Sequence, residues 1–237
     1  MTRTRTTSIQ RLGALPAAVV LALVAALLLA LPRSGAAAAT ASTPQDGHSH
    51  GVVVVPHTPA QVALHDQVRK LWEDHITWTR LAIVEFAAGD PGFDATAARL
   101  LQNQTDLGDA IKPFYGDPAG ERLTALLRDH ILIAVDLLQA AKSGDSAAVA
   151  SASARWYANA NDIADFLAAA NPRFWPDSVM RAAMKEHLDE TLAEAVHELS
   201  RDYAASVTDY EKVHAHILAM ADTISGGIIG AFPSRLG

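Results

Sequence analysis

Helical periodicity runs through most of this chain and limits the folds open to it. From residue 60 to residue 230, apolar side chains recur at every third or fourth position, and no segment alternates as a β-strand does. Alanine and leucine, both strong helix formers, are abundant there. The pattern predicts an all-α fold of six helices, at residues 60–88, 94–112, 119–142, 146–169, 176–203 and 206–229.

Segments rich in glycine, proline and aspartate separate these helices. They read "AGDPG", "KPFYGDPAG", "KSGDS" and "ANPRFWPDS" along the chain. The last break, "RDYAAS", is the weakest, so the final two helices could also run together. Because short connections place consecutive helices side by side and antiparallel, we expect an antiparallel helical bundle over residues 60–237.

The N-terminal 41 residues have the order of a secretory signal peptide. Three arginines in the first eleven residues precede fifteen apolar residues at 17–31, and small residues suited to cleavage follow. We expect cleavage and a secreted or cell-envelope protein. The alternative is an uncleaved anchor, which would bring the protein to a membrane. Residues 42–59, rich in proline, glycine and serine, are predicted to form a flexible linker.

Composition excludes several classes of function. The chain has no cysteine, which rules out disulfides and thiolate chemistry. All 26 acidic residues follow residue 41, whereas four of the 19 basic residues precede it, so residues 42–237 carry 15 basic groups and a formal charge of −11. No basic cluster suits nucleic acid, and no glycine-rich phosphate loop or nucleotide motif occurs. We therefore expect neither a nucleic-acid partner nor a nucleotide cofactor.

Three histidines in the linker, His48, His50 and His57, could capture a transition metal. The other interpretation is a flexible tail that contains imidazoles without fixed geometry.

An acid followed by histidine recurs three times at near-equal intervals. The histidines are His75, His130 and His187, each 15 to 17 residues after a proline. A second aspartate follows each of them at a distance of 31, 32 or 35 residues, at Asp106, Asp162 and Asp222. The chain thus predicts three helical hairpins, each with a histidine on its first helix and an aspartate on its second.

Helical spacing places each of these histidines in an apolar seam, with the preceding acid about 100° away on the flank. A buried imidazole needs partners for its ring nitrogens. In an antiparallel hairpin the later aspartate can lie level with the histidine. One hypothesis is therefore a structural His–Asp hydrogen bond inside each hairpin.

The other hypothesis is a metal site in the core, because His and carboxylates that converge in a bundle can hold iron, manganese, zinc or copper. The last hairpin is the richest in ligand types. His187, Glu190 and Glu194 share a face, and Glu-x-x-His spacing recurs at Glu194 and at Glu211. We expect His214 to face inward and His216 to face solvent. The predicted metal ligands are His75, His130, His187, Glu190, Glu194, His214, Asp106, Asp162 and Asp222.

Four segments carry a resemblance to a family of uncharacterised small bacterial all-α proteins: "LWEDHITWTR", "RLLQNQTDLGDAIKPFYG", "LLRDHILIAVDLLQAAKSGD" and "RWYANANDIADFLAAANP". The resemblance covers about residues 66 to 230 and implies a shared helical fold. Some members carry names such as glycosyltransferase or acetylglutamate kinase. Those names imply nucleotide-binding α/β folds, for which this chain has neither strands nor motifs, so the resemblance lends no activity.

The sequence therefore favours an exported helical-bundle protein that binds a transition metal through core histidines and carboxylates. The alternative is a non-catalytic structural or interaction module, in which buried His–Asp pairs only fix helix register. A metal-dependent oxidase or hydrolase is a third interpretation, and no catalytic residue is identified for it.

Overall fold

The computed structural model describes residues 54–237, and this part of the chain is entirely helical apart from its connections. Six α-helices follow one another, and a 3-10 turn, Pro233–Arg235, ends the chain. The helices are α1 Pro59–Ala88, α2 Phe93–Tyr115, α3 Asp117–Ser143, α4 Ser146–Ala170, α5 Asp177–Ser200 and α6 Tyr203–Ala231. The predicted all-α fold is confirmed for these residues, while the signal segment and His48 and His50 lie outside them.

Local chemistry sets where the helices begin and end. The Thr58 hydroxyl accepts a hydrogen bond from the Gln61 amide and so caps α1, and Asp145 caps α4 in the same way through Ala147 and Ala148. Gly89 and Gly144 end α1 and α3 in the left-handed conformation.

One predicted boundary, between the second and third helices, differs from the structure, and the weakest predicted break is confirmed. Helix α2 continues through Pro113 to Tyr115, and only Gly116, with φ 85°, separates it from α3. Proline is tolerated there because it lies in the last turn, where only one backbone bond is lost. Helices α5 and α6 do not run together. Arg201 adopts a left-handed φ of 67°, and the Asp202 side chain then caps α6.

The six helices close into a ring. Each packs on its neighbours in sequence, and α6 packs back on α1. The apolar core inside the ring takes side chains from all six helices, among them Leu64, Leu107, Leu126, Ile163, Leu188 and Ile217. Helices α2 and α3 approach most closely at Gly108, where an added Cβ would lie 2.5 Å from the carbonyl oxygen of Gly120.

Residues 54–58 lie against the end of the chain. The Thr58 hydroxyl donates to the carbonyl oxygen of Leu236 at 2.5 Å, and Val54 packs against the core near Gly226. The last residues of the predicted linker therefore contact the bundle.

One buried ion cluster joins α1, α5 and α6. The Arg80 guanidinium lies 3.1 Å from Glu194 Oε1 and 3.2 Å from Glu198 Oε2, and it also donates to the Ser206 hydroxyl. Glu194 is fully buried, so Arg80 supplies the charge partner that a carboxylate there requires. This explains why α5 carries acids on its inner face instead of an uninterrupted apolar stripe.

Candidate functional site

Three histidines converge inside the ring, one from each odd-numbered helix. His75 of α1, His130 of α3 and His187 of α5 are all buried, with at most 3% of their surface exposed. The ring centroid of His187 lies 5.9 Å from that of His75 and 6.1 Å from that of His130. The acid that precedes each histidine is not buried. The predicted division of each pair into a buried histidine and a flanking acid is therefore confirmed.

The predicted aspartate partners are not the residues that contact the histidines. Asp106 pairs with Arg99 and Gln102, and Asp222 pairs with His65 and Arg69. Asp162 is exposed on the outer surface. The side chains that contact the histidines instead follow them by 29 residues: Gln104 and Asn159 hydrogen-bond His75 and His130, and His216 stacks on His187. Asp106 and Asp162 lie three residues after Asn103 and Asn159, almost one turn further along the helix and rotated by about 60°, where their carboxylates keep contact with water.

The second hairpin shows the contact in its simplest form. His130 Nδ1–H donates to Asn159 Oδ1 at 2.9 Å, and Asn159 Nδ2 donates to the carbonyl oxygen of Leu126 at 3.1 Å. Leu126 precedes His130 by one helical turn. Because a reversed Asn159 amide would place its oxygen against the Leu126 carbonyl oxygen, the amide has only one orientation, and His130 carries its proton on Nδ1.

The first hairpin repeats the carbonyl contact and adds a glutamine. Asn103 Nδ2 donates to the carbonyl oxygen of Leu71, one turn before His75, at 3.0 Å. Gln104 Nε2 donates to the carbonyl oxygen of Leu100 at 2.7 Å and to His75 Nδ1 at 3.2 Å. Gln104 Nε2 also donates to Asn103 Oδ1 at 3.3 Å, so the amides of Asn103 and Gln104 and the ring of His75 form one buried network.

The third hairpin replaces the asparagine with histidine. His216 Nε2–H donates to the carbonyl oxygen of Ala183, one turn before His187, at 2.9 Å. The rings of His216 and His187 stack with centroids 6.5 Å apart. The expectation that His216 faces solvent was wrong, because its register matches that of the two asparagines. The expected inward position of His214 was also wrong, since this residue donates to Glu73 Oε1 at 3.1 Å on the flank of the bundle.

A cavity of about 90 Å³ lies beside the three imidazoles. Its wall is mainly aliphatic and includes Ile83, Leu100, Leu137, Val149, Leu192 and Leu199. Thr79 and Thr191 also line it, but their hydroxyls donate to carbonyls of their own helices. Among the described residues that line the cavity, none is an aspartate, glutamate, lysine or arginine.

Two polar atoms in this wall lack a hydrogen-bond partner within residues 54–237. They are His187 Nδ1 and Trp156 Nε1, and both residues are 3% exposed. The Trp156 ring lies 5.3 Å from that of His130. Each of these atoms exposes less than 1 Å² of surface, so both are enclosed by the side chains around them and do not open to the cavity.

The three imidazoles are neutral near pH 7. Burial, and then repulsion from the nearby His130, lower the pKa of His75 to about 3, against the opposing hydrogen bonds with Asn103 and Gln104. Burial also lowers the pKa of His130 to about 4, against the opposing hydrogen bond to Asn159. For His187, burial and then repulsion from His75, His130 and His216 hold the pKa well below its usual value.

The predicted carboxylate ligands lie away from the cavity. Glu194 pairs with Arg80, and Glu190 lines a separate cleft between α5 and α6. Burial, before any other cause, raises the pKa of each to about 7. Within the described residues, no group of three or more histidine, aspartate or glutamate side chains is placed to hold a metal ion. The structure thus brings together His75, His130 and His187, and leaves the other six predicted ligands apart from them.

Sequence reasoning missed Gln104, Asn159 and Trp156, which complete the site. A signal for the asparagines was present, because Asn103 and Asn159 follow His75 and His130 at nearly the same distance. No comparable signal distinguishes Trp156 from the other tryptophans.

Comparison with protein-family models, with curated proteins and with solved structures finds no match. Among residues 54–237, no helix is long and apolar enough to cross a membrane.

Replacing Asn159 with alanine should destabilise the fold. The change leaves the buried His130 Nδ1–H without an acceptor and removes the bond to the Leu126 carbonyl, at a cost of about 1–3 kcal/mol. Asn161→Ala, at an exposed position of the same helix, is the matched control and should change the free energy of unfolding by no more than about 0.5 kcal/mol. Urea unfolding measures both, and equal effects of the two changes would contradict the assigned role of Asn159.

Acid should destabilise the protein through the buried imidazoles. Below pH 6.5 the unfolded chain takes up protons at these residues, whereas folded His75 and His130 do so only near pH 3 and 4. Each therefore lowers the free energy of unfolding by about 1.4 kcal/mol per pH unit over that window. Glu190 and Glu194 act in the opposite direction between about pH 7 and 4.5, because their raised pKa makes the folded state bind the proton first.

Single substitutions separate the contribution of each residue to the pH dependence of stability. In urea unfolding between pH 6 and 4.5, His130→Asn should show a pH slope smaller than that of the wild type by about 1.4 kcal/mol per unit. His57→Asn, at an exposed position, should keep the wild-type slope. An unchanged slope for His130→Asn would mean that His130 does not enter the folded state as a neutral ring.

Proposed function

We propose that this protein is a binding module whose bundle takes one small, mainly apolar molecule into the cavity beside His75, His130 and His187. The observation that carries the proposal is an aliphatic cavity of about 90 Å³ bordered by three buried imidazoles. An apolar pocket with a few convergent polar groups of shifted pKa is the arrangement typical of small-molecule sites.

The volume sets the size of the molecule. A single water molecule needs roughly 10–15 Å³ on this measure, and an engineered cavity of about 150 Å³ binds benzene or xenon. The cavity of about 90 Å³ therefore suits xenon or an organic molecule of about three to five non-hydrogen atoms.

The charge of the wall sets the class of molecule. Without an acidic or basic side chain in the lining, an ion that entered would lose its hydration and gain no counter-charge. The neutral imidazoles offer hydrogen bonds but no charge. The wall therefore favours neutral molecules.

Binding should appear as a shift of the thermal melt. The probes are xenon, 1-chloropropane and 1-propanol. A probe at ten times its dissociation constant stabilises the fold by about 1.4 kcal/mol, because only the folded state has the cavity. Ala195→Leu, at a buried lining position, should abolish the shift by filling the space, whereas Ala98→Leu, exposed on α2, should keep it.

Xenon-129 NMR detects the binding of xenon in a way that does not depend on the stability of the protein. A saturable signal of bound xenon is expected in the wild type and in Ala98→Leu, and its absence in Ala195→Leu. If none of the three probes binds the wild type, the proposal is wrong. The buried histidines would then act only in fixing helix register, as a structural or interaction module requires.

A transition-metal ion is the second candidate ligand. It is favoured by His130, whose Nδ1–H is held by Asn159, because a ligating histidine commonly donates its other ring N–H in this way. It is opposed by the lining of the cavity, in which no carboxylate lies beside the imidazoles. The test uses chelator-stripped protein in which His48, His50 and His57 are replaced by alanine. Its thermal melt is measured with and without Zn²⁺, Cu²⁺, Mn²⁺ or Fe²⁺. A shift that His130→Asn abolishes would establish a metal site in the core.

We also propose that the protein is exported. The order of basic, apolar and small residues in the first 41 positions supports this. N-terminal sequencing of the secreted chain should begin near Ala39 or Ser42. A full-length chain retained in the membrane would show an anchor instead.

A further inference from the structure

We infer that the cleft between α5 and α6 is the docking site of the protein's own N-terminal segment, residues 46–53, which read "DGHSHGVV". In this arrangement the segment lies along α6 as an extended chain, with every second side chain directed into the cleft. The cleft shares no lining residue with the cavity beside the three histidines, so the inference goes beyond the proposed binding of a small molecule.

The cleft has a volume of about 500 Å³ and changes character along its length. The end formed by the start of α5 and the C-terminal half of α6 is mainly apolar, and it is lined by Val179, Met180, Ala183, Ala219, Met220 and Ile224. The other end is charged, and it is lined by Glu186, Glu190 and Lys212. An occupant that matches the cleft is therefore apolar at one end and polar at the other.

Residue 54, the first that the structure describes, lies beside the apolar end of the cleft. The backbone nitrogen of Val54 is 3.2 Å from the position that a Cβ on Gly226 would take. Because Thr58 bonds the carbonyl oxygen of Leu236, the chain from Thr58 to Val54 runs from the end of α6 towards its middle. Thr223, one turn from Gly226 on the same helix face, borders the cleft. The residues before Val54 therefore start within one turn of the cleft.

Residues 54–58 show the alternation of an extended chain. Val54, Pro56 and Thr58 are half-buried, whereas Val55 and His57 are exposed. Successive side chains of an extended chain point to opposite sides. Continued into the segment, this alternation turns towards α6 the side chains of Asp46, His48, His50 and Val52. The residues between them are glycine, serine and valine, and they face outward.

The spacing brings His50 to the first carboxylate of the cleft. His216 precedes Gly226 by ten residues, a distance of about 15 Å along α6 that about four or five extended residues span. His50 therefore lies level with His216, beside Glu186. The Glu186 carboxylate is 3.7 Å from His216 Nδ1, which is longer than a hydrogen bond and leaves room for a closer donor.

The next two inward side chains match the charged end of the cleft. Lys212 precedes Gly226 by 14 residues, about 21 Å along α6, so about six extended residues bring His48 to the level of Glu190. Asp46, two residues further, then faces the Lys212 ammonium. The order of apolar, imidazole and acidic groups in the segment is thus the order of apolar, carboxylate and ammonium groups in the cleft.

Covalent attachment favours this occupant over an outside molecule. A segment that begins one turn from its site meets the cleft at a high effective concentration. A free peptide of the same composition loses translational freedom when it binds, and the attached segment does not. Burial of Val52 against Met180 and Met220 then stabilises the docked segment.

Paramagnetic NMR tests the docking. The chain has no cysteine, so Ser49→Cys attaches a single nitroxide to the outward side of the segment. The protein is used as the cell processes it, with 13C-labelled methionine methyl groups. The signals of Met180 and Met220, which line the cleft, should lose most of their intensity. A nitroxide attached through Ala98→Cys, exposed on α2, should leave both signals unchanged.

Two matched substitutions distinguish docking from mere proximity of the segment. Val52→Asp brings a carboxylate to the apolar end of the cleft and should restore most of the intensity of both methyl signals. Val53→Asp adds the same charge on the outward side and should leave the signals broadened. Equal effects of the two substitutions would overturn the inference, as would full methyl intensity in the protein labelled through Ser49→Cys.

A mixed sample identifies the source of the segment. Chains that carry the nitroxide but no 13C are mixed with 13C-labelled chains that carry no nitroxide. Docking within one chain predicts full methyl intensity in this mixture. Loss of the Met180 and Met220 signals there would mean that the cleft takes the segment of a second copy, and the inference would be wrong.

Discussion

The carbonyl one helical turn before each core histidine is the contact on which the interior depends. It accepts a bond from Asn103 in the first hairpin, from Asn159 in the second and from His216 in the third. Each bond joins two neighbouring helices at one height and so sets their register. It also orients the side chain that makes it, and in the second hairpin this orientation decides which nitrogen of His130 carries the proton. Register and tautomer thus follow from a single contact.

A consequence of this arrangement is that the centre of the bundle is polar but uncharged. Amides and imidazoles meet there, and the pKa of each histidine is lowered by burial. The buried carboxylates lie elsewhere: Arg80 neutralises Glu194 and Glu198 on α5, and Asp209 on α6 pairs with His197 and Lys212. Separation of the two regions keeps the cavity free of ions, because a carboxylate beside the rings would favour protonated imidazole. The selectivity for neutral ligands that we propose depends on this separation.

Sequence reasoning predicted the helices better than the contacts between them. Periodicity and turn residues placed all five breaks between the helices within a few residues, and the apolar seam correctly indicated burial of His75, His130 and His187. The predicted hydrogen-bond partners of the histidines were wrong. The charged Asp106 and Asp162 were expected in this role, whereas the neutral Asn103 and Asn159 make the bonds between the helices. The predicted directions of His214 and His216 were the reverse of those observed, for a related reason. Their directions follow from the rotation of α6 about its axis, and a helix with apolar residues on most sides does not specify that rotation.

The sequence by itself determined the all-α class, the helix ends and the inward faces of the odd-numbered helices, since these depend on residue spacing and on local capping. Only the tertiary structure decided that the six helices close into a ring, that the three histidines meet, and that their neighbours are amides instead of carboxylates. It also decided that the histidines border a cavity whose wall includes Trp156, a residue distant from all three in the chain. These features depend on the rotation and height of whole helices relative to one another. Periodicity along one helix fixes neither quantity, because both are set by the sum of many weak contacts between helices.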